Sequence, residues 1–264
     1  MIHDYHMHTP LCMHAVGEPE EYAARAIERG IGEIGFSDHC PMPPDYDPDF
    51  RMRADQYPEY VAMVERCRKA FPALPIKLGL EADFHPGTEA FVRDVVARYP
   101  FDYVIGSVHY LGSWGFDNPE LVHLYESKDI HELYRQYYEL VVQLAETRLY
   151  DIVGHPDVIK KFGHRPAQDY EPLERRALQA IAKAGMALDV NTAGLRRPAK
   201  EIYPSPRILK GAREMGIGIT FGSDAHEPNH VGESFVEAIA LAKSAGFTHF
   251  RRYERRSFEL VPLP

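Results

Sequence analysis

The sequence predicts an α/β protein: a parallel sheet with helical crossovers, closed into a TIM-barrel-like ring of seven strand-then-helix units. Three observations predict it. Short β-branched or apolar runs alternate along the whole chain with amphipathic stretches of helical period. Gly30, Gly185, Gly216 and Gly246 each fall just past a helical stretch, where a left-handed C-terminal cap is expected. The length, 264 residues, suits one barrel and is enough to bury a large core. A single domain over residues 1–264 is therefore expected.

The first strand, expected over residues 2–6, runs into His6-Met7-His8. Residues i and i+2 of a strand point to the same side, so these imidazoles can share one divalent cation or ligate neighbouring ones. A helix over 20–29, stopped by Gly30, leads to a strand over 31–37 and then Asp38-His39. The loop 41–50, with its Pro-rich turns and acidic residues, reads as an ordered cover over one barrel mouth. A helix over 54–71 precedes the third strand, 76–82, which carries Glu81. A helix over 88–98 and a strand over 103–108 follow, with His109 at the strand's end. After an ordered interval, 110–129, come a helix over 130–148 and a strand over 151–154 that meets His155. The last units are a helix over 172–184, a strand over 186–191, a helix over 205–215 and a strand over 217–222. Asp224-Ala225-His226 and a helix over 232–245 complete them. The tail 247–261 reads as an edge hairpin or closing strand, and its pairs Arg251-Arg252 and Arg255-Arg256 as a solvated flank.

A formal net charge of −9 argues against a protein whose main task is to hold nucleic-acid backbone, while leaving a small phosphorylated substrate open. The three cysteines, Cys12, Cys40 and Cys67, are odd in number and lack C-x-x-C spacing, so reduced thiols are expected. Cys12 and Cys40 lie near histidine motifs, where a stray ligand is the secondary reading. No basic-then-apolar leader and no run of transmembrane length is seen, so a cytoplasmic protein without a membrane partner is expected.

Seven of the fourteen histidines fall at or just beyond expected strand ends: His6, His8, His14, His39, His109, His155 and His226. Loops after each strand converge at that rim of a parallel barrel, and core packing has no use for an imidazole at every rim position. With Glu81 and Asp224 they make nine candidate metal ligands, more than one or two tetrahedral ions use; three ions fit better. A set rich in imidazole and free of thiolate suits Zn, Fe or Mn over Ca or Mg. The Glu81 carboxylate can bridge two ions with one oxygen to each; the competing reading is a member of a buried salt bridge.

The chain resembles the PHP (polymerase and histidinol phosphatase) family of metal-dependent phosphoesterases, in particular its histidinol-phosphate phosphatase branch. The resemblance rests on Asp4-Tyr5-His6-Met7-His8-Thr9, Ser37-Asp38-His39, Gly79-Leu80-Glu81, Gly106-Ser107-Val108-His109, Gly154-His155-Pro156-Asp157 and Gly222-Ser223-Asp224-Ala225-His226. The branch-level likeness lies in residues 151–162, 188–198 and 219–230. It implies a distorted (β/α)7 barrel and three divalent ions. One would be held by His6, His8, Glu81 and Asp224, a second by Glu81, His109 and His155, and a third by His14, His39 and His226. Asp38 and Asp157 would orient ligand imidazoles. Glu81, Asp224 and His226 would carry catalysis, and Lys160 and Arg197 would contact substrate.

The implied activity is hydrolysis of L-histidinol phosphate to L-histidinol and phosphate in L-histidine biosynthesis. Divalent ions suit that chemistry, because they neutralise phosphate oxygens and lower the pKa of a bound water from about 15.7 toward about 7. The leaving group is expected to meet the 41–50 loop and the region Trp114-Gly115-Phe116-Asp117. The alternative is a PHP phosphoesterase for nucleotides or another small phosphomonoester. The acidic balance and the lack of a basic groove weigh against a nuclease. A complete ligand set weighs against an inactive metal-binding scaffold. An amidohydrolase barrel would want a lysine or carboxylate where this chain offers His109. Oligomeric state is left open, a homo-oligomer included.

Overall fold

The computed structural model describes residues 1–43 and 46–264, so Pro44 and Asp45 of the expected mouth loop lie outside the described residues. Seven parallel strands form one sheet in sequence order: β1 (His3–Asp4), β2 (Glu33–Phe36), β3 (Ile76–Asp83), β4 (Tyr103–Ser107), β5 (Ile152–Val153), β6 (Ala187–Asn191) and β7 (Gly218–Gly222). Neighbours that follow chain order need a crossover helix each, and the helices supply it: α1 (Pro19–Glu28), α2 (Tyr57–Ala70), α3 (Glu89–Val96), α4 (Ile130–Thr147), α5 (Glu171–Ala184), α6 (Pro206–Glu214) and α7 (Phe235–Ser244).

The first strand is shorter than expected because the chain changes partner. Beyond Asp4 it turns from β2 to the last strand: Tyr5 N–H donates to Phe221 O at 3.0 Å, and Met7 bridges Ala225 in parallel. Those bonds close the ring and aim His6 and His8 inward. The expected start of the last helix is also late. Gly232 (φ 64°) and Ser234 (φ 57°) are both left-handed, which blocks helix until Phe235. The four glycines read as helix caps all have positive φ, between 70° and 91°. Asp129 caps α4, accepting from His131 N–H at 2.9 Å, and Ser205 caps α6.

Most of the buried apolar residues pack between strands and helices, while Tyr5, Tyr103, Ile105, Ile152, Ala187 and Tyr253 form a separate cluster. Tyr103, Ile105 and Ser107 alternate on β4, and Ser107 reaches Glu81, so this cluster is the barrel interior beneath the site. Tyr103 is accommodated because β3 has glycine beside it; a Cβ at Gly79 would lie 2.4 Å from the ring.

The tail is an antiparallel hairpin, β8 (His249–Glu254) and β9 (Ser257–Pro262), and of its four arginines only Arg255 is exposed in the way a solvated flank would be. Arg251 is buried and donates to Gly185 O at 2.7 Å, Arg252 pairs with Glu33 at 2.8 Å, and Arg256 pairs with Asp151. The hairpin thus fastens the N-terminal ends of strands β2 and β5 and the turn before β6. Among the described residues no helix is long and apolar enough to cross a membrane.

Candidate metal centre

All nine expected ligands meet at the C-terminal ends of the strands. Glu81 is the hub, wholly buried on β3. Its Oε1 accepts from Ser107 Oγ at 2.5 Å and lies 3.1 Å from His155 Nε2 and 3.7 Å from His109 Nε2. Its Oε2 faces the other way, 3.1 Å from His39 Nδ1, 3.3 Å from His6 Nε2 and 3.6 Å from His8 Nε2. Asp224 Oδ1 approaches His8 Nε2 at 3.3 Å and His6 Nε2 at 3.9 Å. On the outer side His14 Nε2 and His226 Nε2 are 2.9 Å apart, and with His39 they present ring nitrogens within 4.8 Å of one another. A carboxylate whose two oxygens serve two groups of imidazoles is placed to bridge.

These side chains fit divalent cations. His6 Nε2, His8 Nε2, His39 Nδ1 and Glu81 Oε2 are buried without a hydrogen-bond partner, an arrangement that is costly unless a cation ties the lone pairs together. The far sides of the rings are held as metal-ligating histidines usually are. His6 Nδ1 meets Asp189 at 2.7 Å, His109 Nδ1 meets Asp83 at 2.9 Å, and His14 Nδ1 meets Cys12 O at 2.8 Å; His8 Nδ1 lies 3.4 Å from Asp38 without a hydrogen bond. Asp38 also accepts from the backbone N–H of Thr9 and of His39, tying the first two motifs together. Gly222 leaves the room this needs: a Cβ there would lie 2.5 Å from both His6 Cβ and Asp189 Oδ1. Two residues of the centre, His155 (φ 26°) and Asp224 (φ 52°), have left-handed backbones, a costly state that clusters at functional sites.

The electrostatics follow from packing imidazoles around few carboxylates. Burial opposes charge on His6 and His8, but Glu81 and Asp224 outweigh it, raising His6 well above its ordinary value and His8 to about 9. Burial likewise opposes charge on His109, yet Asp83 and its neighbours raise it to about 10. Burial pushes His39 and His226 down instead, with their positive neighbours adding to it. Burial opposes ionisation of Glu81, and the surrounding imidazoles still hold it well below the usual carboxylate range.

Two expected roles need correction. Lys160 does not reach the cavity; it is buried in the turn after β5, 2.6 Å from Asp157 and 2.8 Å from Glu201. Asp157 consequently binds Lys160 and Ser205 N–H (2.8 Å) rather than orienting an imidazole. The next residue, Lys161, lines the cavity, 3.1 Å from Asp117. Arg197 lines it too and makes no ion pair among the described residues. Sequence reasoning missed Asp189 and Asp83. Asp83 carried a signal, since it is two residues beyond Glu81 on the same strand face; Asp189 carried none. All three cysteines are buried and unpaired with one another, and Cys12 Sγ lies within 4.8 Å of ring nitrogens of His8 and His226.

Above the centre is a cavity of about 590 Å³. Its wall carries Arg51, Lys161, Arg196 and Arg197 as cations, Asp47 (3.0 Å from Arg51) and Asp117 as carboxylates outside the nine donors, and Phe50, Tyr110 and Phe162 as aromatics.

Residues 4–193 match the PHP domain and residues 206–244 a PHP-associated segment. The chain is 50% identical over 244 residues to a probable histidinol-phosphatase of Deinococcus radiodurans, covering 92% of this chain and 93% of the relative. It is 31% identical to the histidinol-phosphatase of Bacillus subtilis, over 89% of this chain and 98% of that one. The fold superposes with a TM-score of 0.85, at 25% identity and 98% coverage of both chains, on a histidinol phosphate phosphatase from Lactococcus lactis crystallised with zinc, L-histidinol and phosphate. A strand-end cluster of histidines around one buried glutamate, in a seven-stranded barrel and with these relatives, leaves one assignment: the chain belongs to the PHP-domain family, in its histidinol-phosphatase group.

Proposed function

We propose that this chain hydrolyses L-histidinol phosphate to L-histidinol and phosphate at a centre of three divalent transition-metal ions, a step of L-histidine biosynthesis in the cytoplasm. The observation that carries the reading is the divided Glu81 carboxylate, with an imidazole group on each oxygen, beneath a cavity onto which Arg197, without an ion pair among the described residues, opens. His6, His8, Glu81 and Asp224 would hold one ion, Glu81, His109 and His155 a second, and His14, His39 and His226 a third. When bound, such ions neutralise phosphate oxygens and acidify bound water, which is what hydrolysis of a phosphomonoester dianion needs.

The chain's own residues do the rest. Asp189 and Asp83 fix the tautomers of His6 and His109, so that each ring turns Nε2 to the centre. Arg197, free of ion pairs among the described residues, takes the phosphate oxygens, with Lys161 beside it. L-Histidinol carries an ammonium and an imidazole. The carboxylates Asp117 and Asp47 suit the first, and the aromatic rings Phe50, Tyr110 and Phe162 suit the second. Metal analysis of protein purified without chelator tests the centre. Close to three transition-metal equivalents per chain are expected; one equivalent with full activity would overturn the three-ion reading.

A further inference from the structure

Two arginines stand side by side on the cavity wall, and the structure uses them differently. Arg197 is exposed and unpaired among the described residues. Arg196, the last residue of the short helical turn Thr192–Arg196 after β6, turns back against the loop that follows β7. Its Nη2 donates to Ser223 O at 2.6 Å and to Asp224 O at 3.2 Å, and its Nη1 pairs with Glu233 at 3.2 Å. The same Asp224 carbonyl accepts from His226 Nδ1 at 3.1 Å. That bond places the proton of His226 on Nδ1 and leaves Nε2 facing His14, 2.9 Å away.

The loop so held is strained and doubly committed. Asp224 has a left-handed backbone, which an aspartate keeps only where its surroundings over-determine it. From that backbone its carboxylate faces His6 and His8, while His226, two residues on, faces His14 and His39. A guanidinium is a rigid, planar fork that can serve two carbonyls and a carboxylate at once; an ammonium on a flexible stem cannot hold all three in one geometry.

We propose that Arg196 is a positioning residue. It clamps the 223–226 turn so that Asp224 and His226 present to two different ions, and it does not grip the substrate phosphate. The inference rests on the metal-centre reading above and predicts which ions loosen without the clamp. Those held through Asp224 and His226 should be released, whereas the one between Glu81, His109 and His155 should not.

The test uses metal-loaded enzyme with Arg196→Lys, Arg196→Met and, for contrast, Arg197→Met. Metal release into the chromogenic chelator 4-(2-pyridylazo)resorcinol is timed well below each variant's melting temperature. KM and product inhibition by inorganic phosphate are measured alongside. Both Arg196 variants should release two of the three ions at least about 10-fold faster than wild type, the scale expected for losing a support behind ligands. Excess metal should restore kcat, and phosphate inhibition should stay within about 3-fold. Arg197→Met should show the reverse, with unchanged release and weakened phosphate inhibition. If the Met variant at 196 does not fold, the Lys variant decides. Wild-type release kinetics in the Arg196 variants would overturn the proposal, as would weakened phosphate inhibition with metal retention intact. A wild-type enzyme holding no slowly released metal would instead defeat the metal-centre reading itself.

Discussion

At Glu81 the two carboxylate oxygens divide their neighbours, His109 and His155 on one and His6, His8 and His39 on the other. Glu81→Gln keeps the shape and removes the charge that would let one group bridge two cations. We expect kcat to fall at least about 10²-fold, with weaker metal retention in a chelator challenge. Near wild-type turnover and metal content would make Glu81 a structural residue. The adjacent lysines separate structure from chemistry in the same way. Lys160→Met leaves the buried Asp157 without its cation, while Glu201 keeps Arg165, so stability should fall by roughly 3 kcal/mol, read by denaturant unfolding. Arg197→Ala should leave stability within about 0.5 kcal/mol and lower kcat/KM for histidinol phosphate. The reverse pattern would return Lys160 to the substrate side.

The elements explain which parts of the site were legible in the sequence. Six of the seven candidate ligand histidines sit at or just past the end of an apolar run, His14 in the following loop being the exception, so the strand pattern and the candidate set announce each other. Asp189 was harder to see because it lies inside β6, where a carboxylate reads as an interruption until its ring partner, brought from a distant segment, is known. The choice between Lys160 and Lys161 depends on side-chain direction in one turn of 3-10 helix, which composition and periodicity do not carry. Likewise Arg252, Arg256 and Arg251 look solvated until the hairpin brings them onto Glu33, Asp151 and Gly185. The close approach of β7 to β1 gives an element-scale prediction. Gly222→Ala would press a methyl against His6 and Asp189, so metal affinity should drop at least about 10-fold while Ala-for-Gly at an open surface site would be neutral. Unchanged metal affinity on titration of the chelator-treated variant would show that the strands can part without moving His6.

For the whole molecule, the charge around the centre links metal uptake to protons. In the metal-free chain His8 and His109, with pKa values raised to about 9 and about 10, and His6, raised well above its ordinary value, carry protons at pH 7. A ring must be neutral to bind a cation, so metal binding at pH 7 should expel protons. Calorimetric titration in buffers of different ionisation enthalpy should show this release, fading as pH rises past about 9 to 10 through the same values. Apparent affinity should rise over that interval. Binding without proton release would mean these rings are not ligands.

A barrel built around one divided glutamate should serve one small phosphomonoester, and steady-state kinetics on the metal-loaded enzyme decides whether it does. Phosphate release is measured from L-histidinol phosphate, p-nitrophenyl phosphate and nucleoside monophosphates. Groups in the cavity that serve the histidinol ammonium and imidazole are left unpaired by the other substrates, so kcat/KM should favour L-histidinol phosphate by at least about 10²-fold. Equal rates across the panel, or a preference for a nucleotide, would contradict the account.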